Sequence, residues 1–94
     1  MDQAETALLE LVCFMKSARP EDSTRLLRSL LTNSEIGALA QRLEILDGLA
    51  TGTPQREISE RLKVGIATVT RGSRVWKQEK ITLKNYFPRS GKAT

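Results

Sequence analysis

Apolar residues return at three- and four-residue intervals along most of the chain, and no segment alternates as a strand would. Residues 4–17 set Ala7, Leu8, Leu11, Val12 and Met15 on one helical face, and Leu9 and Phe14 widen that stripe, as suits a helix covered on more than one side. Arg19-Pro20 ends this helix, because proline pushes the residue before it out of the helical region. Pro20-Glu21-Asp22 suits the first turn of a second helix, with its acids at the positive end of the helix dipole. That helix carries Leu26, Leu27, Leu30 and Leu31. Thr32-Asn33-Ser34-Glu35 matches a capping box, in which the threonine hydroxyl and the glutamate carboxylate each satisfy the other's backbone N–H. A third helix follows, with Ile36, Leu39, Ala40, Leu43, Leu46 and Ala50 as its apolar face. Thr51-Gly52-Thr53-Pro54 closes it, and Thr53 is placed to cap a fourth helix over 54–62 with Pro54 at its first position. Lys63-Val64-Gly65 forms a short turn, and a fifth helix runs over 66–77. Ile81 to Phe87 makes a short sixth helix before Pro88, and the tail 89–94 is expected to be mobile.

The pattern predicts an all-α fold of five to six helices in a single domain, a helical core over 4–50 followed by a second element over 54–77. Ninety-four residues bury a low fraction of their surface, so a partner chain would enlarge the core. At 39% hydrophobic the chain is not disordered, and its longest apolar runs are far too short to cross a bilayer. The acidic N-terminus is unlike a signal peptide, and a cytoplasmic location is expected. A lone cysteine, Cys13, excludes an intrachain disulfide and a thiolate zinc site; its apolar neighbours predict a small buried hydrophobe. With no histidine, no paired carboxylates at a pocket and no phosphate loop, the chain is expected not to be an enzyme.

Charge changes the picture more than composition does. Residues 1–53 hold five Lys/Arg and eight Asp/Glu, whereas residues 54–94 hold ten Lys/Arg and three Asp/Glu. A basic half on an acidic half points to a polyanion held at one end, and the clustering favours nucleic acid.

Two short helices joined by a three-residue turn, the second one basic, form a helix-turn-helix pattern. Ile58 and Leu62 on the first helix are spaced to meet Ile66 and Val69 on the second, with Val64 at the corner. The outer face of the second helix then offers Ala67, Thr68, Thr70, Arg71, Arg74 and Lys77. Small residues near its N-terminus allow it to sit deep in a major groove, with Arg56 and Lys77 at the two ends for phosphates. Lys63 stands where glycine is usual in such a turn, and Ser59 where alanine is usual. Trp76 is expected to pack in a core rather than to stack on a base. The bland alternative is an ordinary helical hairpin.

The stretch Gln55-Arg56-Glu57-Ile58, and then Gly65-Ile66-Ala67-Thr68-Val69-Thr70-Arg71-Gly72-Ser73, resembles the tryptophan repressor family. Leu31-Thr32, Glu35, Arg42 and Gly52 fall at nearly the family's distances, and the resemblance covers residues 5 to about 87. It implies an intertwined all-helical homodimer, a palindromic double-stranded DNA operator and a transcriptional repressor of tryptophan biosynthesis or transport genes. It implies DNA contacts from Arg56, Ser59, Ile66, Ala67, Thr68, Thr70 and Lys77. L-Tryptophan would be a co-repressor, not a prosthetic group. Arg42 and Arg71 would sandwich its indole and one of them would also hold its carboxylate, chemistry that guanidinium planes supply well. Thr32 would add a hydroxyl, Gly72 would leave room for the ring, and the carbonyls of Ser29 and Leu31 from the other subunit would face the ammonium. Two positions depart: Val75 replaces a serine that contacts the ammonium, and Ser29 replaces a usual leucine.

Other roles stay open on the residues alone. Thr32 can serve only as a cap, Arg42 as a solvated helix charge and Arg71 as a phosphate contact. The rival functions are a DNA-binding regulator of the same fold that needs no ligand, one that senses another indole compound, and a helical dimerisation or adaptor protein. Added tryptophan would leave the DNA affinity of the first unchanged; the last would bind duplex DNA with no sequence preference.

Overall fold

The computed structural model describes residues 2–89, and these form six α-helices and no strand. The helices are α1 (Gln3–Ser17), α2 (Pro20–Leu30), α3 (Asn33–Ala50), α4 (Gln55–Leu62), α5 (Ile66–Gln78) and α6 (Lys80–Leu83). The chain divides into two compact units, Met1–Ile36 and Gly37–Thr94.

In the first unit, Asp2 caps α1 by accepting from the Glu5 N–H at 2.8 Å. Pro20 opens α2 as its position predicts, and Arg19 pairs with Asp22 across that first turn at 3.1 Å. The capping box forms at the head of α3: the Glu35 N–H donates to Thr32 Oγ1 (3.1 Å) and the Thr32 N–H to Glu35 Oε1 (2.8 Å). The bond from the Thr32 backbone holds the Glu35 carboxyl below the usual carboxylate range. α1 and α2 pack on each other, yet neither contains a buried residue. Leu8, Leu9, Val12, Phe14 and Leu30 all stay exposed. Cys13 is exposed too, contrary to the expectation of a buried hydrophobe, because the apolar stripe it belongs to is uncovered in the single chain.

In the second unit the core is Ile45, Ile58 and Val69, one residue each from α3, α4 and α5, with Leu49, Leu62 and Val64 packed around them. Two features differ from the expected arrangement of apolar residues. The predicted face of α3 stays partly or fully open at Ile36, Leu39, Ala40, Leu43, Leu46 and Ala50, and Ile45 goes deepest instead. α3 carries apolar residues on more than one side, so its periodicity does not single out one face. The second correction is Ile66, which is 51% exposed and does not join Ile58 and Leu62. As the first residue of α5 it lies at the mouth of the turn, and Val69 fills the core position alone.

The junctions follow local chemistry. Gly52 takes φ +79° at the end of α3, where a side chain would be strained. Thr53 does not cap α4: its hydroxyl lies 3.0 Å from that of Thr51, and Pro54 occupies the cap position with no side-chain bond. The sixth helix is shorter than its pattern suggests, ending at Leu83 and continuing as turns closed by bonds from the Tyr86 and Phe87 N–H groups to the Leu83 carbonyl. Arg89, expected to begin a mobile tail, is tied to α3 through Asp47 and Glu44. The rest of that tail, 90–94, lies outside the described residues.

Candidate DNA-reading head and ligand cavity

α4, the turn Lys63-Val64-Gly65 and α5 form a helix-turn-helix around Ile58 and Val69, both fully buried. Lys63 adopts the left-handed conformation that the turn demands, at φ 56° and ψ 46°. The Val64 N–H donates to the Ser59 carbonyl (3.1 Å), and the Ser59 hydroxyl donates back to the Val64 carbonyl (2.6 Å). Serine at 59 therefore does more than stay small: it closes the turn from inside, and its hydroxyl is committed there.

Among the residues predicted to meet DNA, Arg56, Ile66, Ala67, Thr68 and Lys77 are exposed, and Ser59 and Thr70 are half-buried. The Thr70 hydroxyl lies 3.0 Å from both Gln55 Oε1 and the Ile66 carbonyl, so it serves the joint between α4 and α5. Arg71 and Arg74 add two more exposed guanidinium groups on α5. Trp76 is half-buried.

A cavity of about 550 Å³ lies between α3 and α5. Ala38, Gln41, Arg42, Ile45 and Leu46 line it from α3, and Thr68, Arg71, Gly72 and Val75 from α5. The structure thus brings four of the predicted ligand residues, Arg42, Arg71, Gly72 and Val75, to one cavity. Its wall is mostly apolar and its charged groups are two cations, which suits a planar apolar body carrying an anionic group. Thr32, Ser29 and Leu31 belong to the first unit. There the Ser29 hydroxyl donates to the Arg25 carbonyl (2.8 Å), Thr32 caps α3, and the Leu31 N–H closes α2 on the Leu27 carbonyl (2.9 Å).

Gly72 has a second reason to be glycine. A Cβ there would stand 2.7 Å from Ile45 Cγ2, so the helix crossing itself requires its absence. Gly48 plays the same part where α3 meets α4, since a Cβ would stand 2.9 Å from the Ile58 side chain. Gln41, Ile45 and Leu46 were not singled out as ligand residues by sequence, although each lies within a helical turn of Arg42. Asp47, Glu44 and Arg89 were missed as a cluster, because the residues that meet are more than forty positions apart.

The family described as Trp repressor protein matches residues 5–90. The chain belongs to the Trp repressor family. That is a family of DNA-binding regulators, not of enzymes. Relatives named Trp operon repressor homolog include one from Photobacterium profundum, 45% identical over 66% of this chain and 61% of that protein. Another, from Aliivibrio fischeri, is 41% identical over 72% of this chain and 68% of its own length. A third, from Xylella fastidiosa, is 34% identical over 77% of each. The chain thus spans about three fifths of the length of the first of these Trp repressor relatives. No solved structure matches it significantly. No helix among the described residues is long and apolar enough to cross a membrane.

Proposed function

We propose that the chain is a cytoplasmic, sequence-specific transcriptional repressor that binds a palindromic DNA operator as a homodimer, with L-tryptophan as co-repressor, and controls tryptophan biosynthesis or transport genes. The observation that carries the ligand half is the cavity that Arg42 and Arg71 share with an apolar wall, directly behind α5. A ligand held there would stack its ring between guanidinium planes and pair its carboxylate with one of them. Thr32 and the partner subunit's carbonyls at Ser29 and Leu31 would complete the site. Because the cavity wall is half α3 and half α5, filling it fixes the angle of the recognition helix, which is how one site would govern the other.

The DNA half rests on the helix-turn-helix and on the net positive charge of residues 54–94. Arg56 and Lys77 would hold phosphates, while Ser59, Ile66, Ala67, Thr68 and Thr70 would lie along the groove. The exposed apolar residues of α1 support the dimer, since a second copy would cover them. Two recognition helices would then stand about 34–36 Å apart, a general spacing for dimeric helix-turn-helix proteins for which Trp repressors are themselves a standing example.

Duplexes selected from a random pool, with tryptophan present, test this reading. A palindromic consensus with half-sites one helical turn apart supports it; selection of no sequence at all contradicts it.

Val75 favours a second reading of the ligand. It lines the cavity and cannot accept a hydrogen bond from an ammonium group. An indole carboxylate without the amine, such as indole-3-propionate, would lose nothing there. Calorimetric titration with both compounds separates the readings, and tighter binding of indole-3-propionate establishes the second.

A further inference from the structure

Arg89 stands at the end of the described chain, beyond α6, and its bonds reach back to the middle of α3. Its backbone N–H donates to Asp47 Oδ1 (2.9 Å), its Nε to Asp47 Oδ2 (2.7 Å) and its Nη2 to Glu44 Oε1 (3.0 Å). Asp47 is buried, with 6% of its surface exposed, and Glu44 is half-buried. Surface ion pairs contribute little, but a pair that holds a buried carboxylate differs, because solvent and salt screen it much less. The fork geometry and the added backbone bond fix the direction of approach as well as the charge.

The position of the cluster gives it a purpose. At 3.6 residues per turn, Glu44 and Asp47 lie roughly 140° round α3 from the face of Gln41, Arg42 and Ile45 that lines the cavity. The chain leaves the cavity side at Val75 on α5, passes through α6, and is fastened by Arg89 to another side of the same helix. α5 is held by Val69 in the core, by the buried Ser73 and by the close approach of Gly72 to Ile45, and beyond Ser73 it contributes no buried residue. A strap around α3 adds a restraint for residues 74–78, where α5 buries nothing.

We infer that Arg89 is a positioning residue for the recognition helix: clamped on Asp47 and Glu44, it holds the C-terminal half of α5 at a fixed angle to α3. It touches neither cavity nor reading face and acts through α5. The mechanical claim stands by itself; its consequence for DNA rests on the repressor reading above.

The test is hydrogen exchange across the full-length protein, with duplex affinity measured alongside, for Arg89→Ala, Arg89→Lys, Asp47→Asn and the double variant R89A/D47N. In Arg89→Ala the amides of the C-terminal half of α5 are expected to exchange about tenfold faster, while those near Val69 hold. Asp47→Asn should move the same amides, the double variant no further than the worse single one, and Arg89→Lys should recover part. Duplex affinity should fall with its salt dependence unchanged, since no phosphate contact is lost. Unchanged α5 exchange in a folded Arg89→Ala overturns the clamp. A fall in affinity with a flattened salt slope also overturns it, by making Arg89 a phosphate contact. If Arg89→Ala loses its helical circular dichroism, Arg89→Lys decides, because it keeps the charge and the backbone bond but loses the fork: faster exchange confined to the end of α5 supports the clamp, and none contradicts it. If the native protein binds no duplex, the repressor reading falls and exchange alone judges the clamp.

Discussion

Lys63 holds a left-handed backbone without the freedom that glycine has there. That conformation disfavours any residue with a Cβ by about 1–2 kcal/mol, so Lys63→Gly should stabilise the protein by about 1 kcal/mol after the entropy of glycine is counted. Urea unfolding checks it, and a lower midpoint would mean the lysine side chain contributes something the turn geometry hides. Glu35 gives a prediction of opposite kind. Its carboxyl is held below the usual range by its bond to the Thr32 N–H, so folding favours the charged form. The stabilisation is fully present above the unfolded glutamate pKa and is lost as pH falls through the folded value. Glu35→Gln should flatten the acid side of the stability profile, and an NMR titration should place Glu35 below an unstructured glutamate. Both features were legible in sequence, as a turn lacking its glycine and as a capping box, because each is decided within a few residues. Ser59 was legible only as a small residue, since its bond to Val64 depends on a turn already folded.

At the scale of helices, two glycines set how α3 meets the reading head. A Cβ at Gly72 would meet Ile45, which is nearly fully buried. Gly72→Ala should therefore cost about 1–3 kcal/mol and distort the cavity. Its signature is a lower midpoint of unfolding together with weaker ligand binding, and an unchanged cavity affinity would separate the crossing from the site. Arg71→Ala works the other way: it removes a wall of the cavity from an exposed position, so ligand response should vanish while unfolding barely shifts. The spacing of apolar residues on α4 and α5 named Ile58 and Val69 correctly, because a two-helix corner has few ways to pack. It assigned Ile66 wrongly, because the first residue of a helix shares the periodicity without sharing the burial. On α3 the pattern failed for a different reason: a helix apolar on several sides does not say which side its own chain will take.

For the molecule as a whole, α1 is the feature that a single chain does not explain. Leu8 and Val12 remain 58% and 54% exposed, four residues apart on one face. In the proposed dimer a second copy would cover them and make assembly a condition of stability, so Val12→Glu should shift sedimentation from dimer to monomer, lower the unfolding midpoint and remove its dependence on protein concentration. The charge division was visible in the sequence and gives the salt prediction directly. Arg56→Ala should weaken duplex binding and reduce its salt slope by about one, as loss of a single phosphate contact does. The grip of Arg89 on α3 was not visible, because nothing local marks two residues that meet after so long an excursion of chain.

The central claim is that a ligand in the Arg42–Arg71 cavity sets the recognition helix for DNA. The most direct measurement is the affinity for a duplex selected from a random pool, taken with and without saturating L-tryptophan at fixed salt. Affinity at least about tenfold tighter with tryptophan, abolished in Arg71→Ala, is the result expected from a coupling of ordinary allosteric size. Equal affinity with and without tryptophan, in a protein that binds the same duplex tightly, would contradict it and leave a DNA-binding dimer whose cavity plays no part.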